Sequence, residues 1–75
     1  MNTPGPSELR LTYMRAVDEW VEAIRTEEAL ATTDHSMTAM ERWDEANFKE
    51  QDAQERAKAA RDAYKSTLRE INYGI

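Results

Sequence analysis

Apolar and small side chains recur every three or four positions over two long stretches of this chain, and a single polar gap separates them. The first stretch carries Leu9, Tyr13, Ala16, Val17, Trp20, Val21, Ala23, Ile24 and Leu30, while Arg15, Asp18, Glu19, Glu22 and Arg25 fill the opposite side. That division is the signature of an amphipathic helix. Pro6 suits a first helical turn, where a missing N–H is not needed, and Glu8 complements the positive helix end. Ser7 is a rival N-cap. The pattern predicts helix one over about residues 6–31, preceded by a loose arm at 1–5.

The second stretch runs from Ala39 to Ile71 without Gly or Pro. Alanine recurs every seven residues at 39, 46, 53 and 60, with Thr67 next in the series. Four positions after each of these come Trp43, Glu50, Ala57, Tyr64 and Ile71. The alternating spacing of four and three keeps the two series on one helix face, small in the middle and bulky at the ends. Helix two is therefore expected over about 36–72, with Gly74 placed to end it.

Between the stretches lies Thr32-Thr33-Asp34-His35-Ser36. Paired β-branched residues followed by Asp and Ser disfavour a continuing helix and supply a new N-cap. Asp34 and Ser36 are the cap candidates, and Thr38 with Glu41 also has capping-box spacing. A turn at about 32–35 this short joins antiparallel neighbours. The fold expected is all-α, a helical hairpin in one domain over 6–75.

Folding the chain at that turn brings Ile24 near Trp43, Trp20 near Asn47 and Phe48, and Tyr13 and Leu9 near Ala53 and Ala57. Large side chains of helix one then face small ones of helix two. Helix one ends opposite about residue 61, leaving Tyr64, Leu68 and Ile71 on a projecting face. A chain of 75 residues with no cysteine has neither a large core nor disulfides to compensate for a thin one. Both features call for self-association, with two hairpins forming a four-helix bundle. The self-association face expected is Tyr64, Leu68, Ile71, Trp43 and Trp20.

Charge adds a direction. From Asp18 to Glu55 there are twelve acids against three bases, a balance of −9, whereas the flanking parts hold three acids against seven bases, a balance of +4. The turn end of the hairpin is thus acidic and the open end basic, which favours an antiparallel homodimer. Glu27, Glu28, Asp34, Glu41, Asp44 and Glu45 form a candidate acidic partner-binding end. Lys58, Arg61, Lys65 and Arg69 make a basic stripe late in helix two, suited to a helix C-terminus or to a partner's acidic end.

An overall charge of −5 argues against direct binding to nucleic acid or to anionic membranes. The longest all-apolar run, Ala29-Leu30-Ala31, is far too short for a membrane span, and the cytoplasm is the compartment expected. His35 is the sole histidine, and no Glu-x-x-His motif, cysteine ligand or Gly-rich phosphate loop is present. Glu27, Glu28, Asn47, Glu50 and Gln54 lie on or beside the seam, as residues that reach water or fix helix register. No enzyme activity, cofactor or metal is expected. What remains is a small protein–protein interaction and assembly module, able to bind itself and then another protein. The alternative is an acidic stoichiometric inhibitor, a nucleic-acid mimic of the kind phage and mobile elements carry, occupying a basic channel on its target. Glu41, Asp44, Glu45, Asp52 and Glu55 give such a mimic only a broken row, interrupted by Arg42 and Lys49.

Overall fold

The computed structural model describes residues 4–31 and 36–74, and two helices packed against each other account for nearly all of them. Helix α1 spans Pro6–Ala29 and helix α2 spans Met37–Tyr73. At about 1.5 Å per residue, the 37 residues of α2 set the 56 Å long axis of the molecule.

The helix ends follow local chemistry. Pro6 opens α1, but its cap is Gly5, whose extended backbone supplies no side-chain bond. Ser7 lies inside the first turn. The carbonyl of Gly5 accepts from the Leu9 N–H at 3.0 Å, the first bond of the ladder. Thr12 and Thr26, both inside α1, satisfy their hydroxyls by donating to the carbonyls of Glu8 and Glu22 at 3.0 Å. Helix α1 stops two residues before the expected Ala31. There the N–H groups of Leu30 and Ala31 donate to the Glu27 and Glu28 carbonyls at 3.1 and 3.0 Å, three-residue bonds that tighten and close the last turn.

Ser36 caps α2, its hydroxyl accepting from the Ala39 N–H at 3.2 Å. Thr38 falls within the helix, and Asp34, the other cap candidate, lies outside the described residues together with His35. At the far end Gly74 adopts the left-handed conformation, φ 67°, and donates its N–H to the Glu70 carbonyl at 3.0 Å. A side chain there would strain against its own backbone, so glycine is the natural stop.

The helices meet through alanine. Ala16, Ala46, Ala53 and Ala57 are the buried hydrophobic residues among those described. Around them Ala39, Glu50, Ala60, Tyr64 and Thr67 of α2 are half-buried, as are Leu9, Tyr13, Trp20, Ala23, Glu27 and Leu30 of α1. These α1 positions, with Ala16, repeat the same four-three spacing. The four-three line is therefore matched on both helices, with alanine at its buried positions and the larger α1 residues beside them half-buried. Trp43 and Ile71, at the two ends of the α2 series, are 44% and 59% exposed.

The pairing of side chains follows the expectation at two places and extends it at a third. Ile24 and Trp43 do line one cleft. Tyr13 shares a cleft with Ala57, and the Trp20 indole reaches Glu50, about a turn beyond Asn47. Side chains on a helix lean toward its N-terminus. In an antiparallel pair, α1 side chains lean away from the turn and α2 side chains lean toward it, so each meets a residue about a turn further along. Tyr64 and Leu68, expected on a bare projecting face, are half-buried, whereas Ile71 is 59% exposed.

Because Ala53 is only 2% exposed between the helices, Ala53→Leu should overpack the seam and cost about 1–3 kcal/mol of stability. The exposed Ala59→Leu should be close to neutral. Urea unfolding followed by circular dichroism compares the two.

Candidate functional site

With alanines filling the seam, the larger side chains lie along its rims, and each rim forms shallow clefts. The rim at the turn half is lined by Ile24, Glu27, Glu28, Trp43 and Glu50. Further toward the open end, Tyr13, Val17, Trp20, Ala57, Lys58 and Arg61 line a second cleft on the same side. The opposite rim is polar, lined by Thr12, Arg15, Ala16, Glu19, Arg56 and Ala60.

One directed contact crosses the seam on the apolar rim. The Trp20 indole N–H donates to Glu50 Oε2 at 3.0 Å, with both residues half-buried. Glu50 interrupts the small residues of the α2 series, and the indole gives its carboxylate a partner there. On the polar rim Arg56 approaches Glu19 across the interface at 4.0 Å while also pairing with Asp52 one turn away. Glu45 and Lys49 pair at 3.5 Å and Arg61 with Asp62 at 3.2 Å. All of these ion pairs are exposed, so each contributes at most about 1 kcal/mol.

The residues of the expected self-association face are spread along the hairpin. Trp20 and Trp43 lie on the same rim in neighbouring clefts, but Ile71 lies 28 residues beyond Trp43, about 42 Å along α2. Of the expected acidic end, Glu27 and Glu28 share the turn-half cleft, and Glu41, Asp44 and Glu45 are exposed nearby on α2. Asp34 lies outside the described residues. The basic stripe is split. Lys58 and Arg61 line the cleft with Tyr13 and Val17, and of the four only Arg61 is half-buried, Lys58, Lys65 and Arg69 being exposed. Glu27, Asn47, Glu50 and Gln54 are half-buried at the seam edge and Glu28 is exposed. Among the described residues no group of three His, Cys, Asp or Glu side chains is placed to hold a metal ion, and no helix is long and apolar enough to cross a membrane.

The apolar arc of α1 is wider than the seam uses. Met14, Val21 and Ile24 are 45, 40 and 41% exposed, and Val17 beside them is half-buried. They form an outer stripe next to the inner one, and the two rims of the hairpin are unequal because of it. The signal is present in the spacing 14, 17, 21, 24, but a single wide apolar face does not reveal which part of it a neighbour covers. Comparison with protein-family models, with curated proteins and with solved structures gives no match to this chain.

Trp20→Phe keeps the ring but removes the donor to Glu50. It should cost about 1 kcal/mol, a half-exposed share of what a bond to a charged acceptor contributes. Combining it with Glu50→Leu in a double-mutant cycle should give a coupling free energy of similar size, measured by urea unfolding.

Proposed function

We propose that this chain is a non-catalytic protein–protein interaction module that works as a homo-oligomer, two hairpins associating into a four-helix bundle. The observation that carries this reading is the inversion of its packing. The buried residues are alanines, while Met14, Val21, Ile24, Met40, Trp43 and Phe48 are all 40% exposed or more. Burying an alanine removes little more than one methyl group from water, on the order of 0.8 kcal/mol. Leucine- to tryptophan-sized side chains left at a surface contribute several times more when a neighbour covers them. A second hairpin supplies such a neighbour, and the pair then serves as a platform for a further protein.

The acidic-inhibitor reading has less support. Along α2 the acids Glu45 and Asp52 are engaged by Lys49 and Arg56 one turn later, which breaks up the continuous negative rows that phosphate mimicry calls for.

Molar mass by light scattering on a sizing column, over a series of loading concentrations, tests self-association. The expected result is a mass approaching twice the 8.7 kDa of the chain as concentration rises. A mass of 8.7 kDa at every concentration would overturn it.

A further inference from the structure

The inner stripe of α1, Leu9, Tyr13, Ala16, Trp20, Ala23, Glu27 and Leu30, is the one that packs on α2. One residue further on at each step lies a second series, Arg10, Met14, Val17, Val21, Ile24 and Glu28, with the same alternation of four and three. Adjacent residues on an α-helix are about 100° apart, so the second stripe stands nearly at right angles to the first. A helix in a four-helix bundle meets two neighbours at about such an angle. The first neighbour of α1 is α2, and the second position is open: Met14, Val21 and Ile24 are at least 40% exposed, and Arg10 and Glu28 are exposed with no ion-pair partner among the described residues.

The second stripe is complementary to itself when reversed. It has a base at the open end, an acid at the turn end, and four apolar residues between. Its midpoint falls at residue 19, and reversal about that point places Arg10 on Glu28, Met14 on Ile24 and Val17 on Val21. In an antiparallel coiled coil the two core positions of the heptad face each other across the axis, and these are the pairs produced. A parallel arrangement would set Arg10 against Arg10 and Glu28 against Glu28. The uneven charge of the whole hairpin, acidic toward the turn and basic toward the open end, favours the same reversal.

We propose that a second copy of this chain docks on the outer stripe of α1, antiparallel about a two-fold axis near Glu19, with Arg10, Met14 and Val17 of one copy against Glu28, Ile24 and Val21 of the other. This rests on the self-association proposed above and names its surface. The interface is on α1 and not on the Tyr64–Ile71 end of α2. The stripe is about 27 Å long, short for a stable interface, so the dimer forms and dissociates with concentration.

Two experiments on the full chain test the arrangement. The first uses the absence of native cysteine. Met14→Cys and Ile24→Cys chains are mixed and oxidised, and also oxidised separately. In the proposed dimer the mixture forms an intermolecular disulfide. Either variant alone does not, because its two copies of one residue lie ten positions apart along the axis, about 15 Å, well beyond disulfide reach. The second is a charge exchange read by light scattering. Arg10→Glu or Glu28→Arg alone should weaken the dimer roughly tenfold, since each creates two like-charge contacts, and the double exchange should restore it. Cross-linking of Met14→Cys with itself would overturn the antiparallel arrangement. A dimer of confirmed mass that neither cross-links in the mixture nor responds to the charge exchange would overturn this surface while leaving self-association standing. A monomer at all concentrations would overturn both.

Discussion

Close approach of two helices through alanine is the constraint from which the rest of this structure follows. Buried methyl groups at Ala16, Ala46, Ala53 and Ala57 let the backbones come together, and the larger α1 side chains that share the seam stay half-buried. Trp20, Trp43, Tyr13 and Ile24 line the rims. Trp20 makes use of that position, reaching across to the Glu50 carboxylate. Met14, Val21, Ile24 and Trp43 stay 40% exposed or more, so much of the apolar surface lies on the outside of the hairpin.

Much of this architecture was legible in the residues. The alanine heptads mark the buried line of α2 because 46, 53 and 57 are where close approach occurs, and Pro6, Ser36 and Gly74 mark helix ends because each suits a backbone geometry the helix interior does not use. The pairing across the seam was legible only in part from residue numbers alone. It depends on the lean of side chains toward each helix N-terminus, which is in keeping with the reach of the Trp20 indole to Glu50. Nor did the broad apolar arc of α1 declare its division into two stripes. Val17, Val21 and Ile24 belong with the core by composition, and only the position of α2 shows that they stand beside the seam.

Charge plays a subordinate part in holding the hairpin together. The ion pairs are exposed and mostly local, between residues one turn apart or adjacent, so they support helix formation more than helix packing. Their arrangement along the molecule matters more than their number. An acidic turn and a basic open end give the hairpin a polarity that favours head-to-tail reversal of two copies, and the ends of the outer α1 stripe carry that polarity down to single residues, Arg10 and Glu28.

If two copies associate as proposed, association adds to the stability of an alanine-cored hairpin. The dependence of the thermal unfolding midpoint on protein concentration, followed by circular dichroism over a hundredfold range, tests this most directly. If folding and association are linked, the midpoint rises steadily with concentration. A midpoint that stays the same across that range would mean that the hairpin folds without a partner, and would rule out association as a source of its stability.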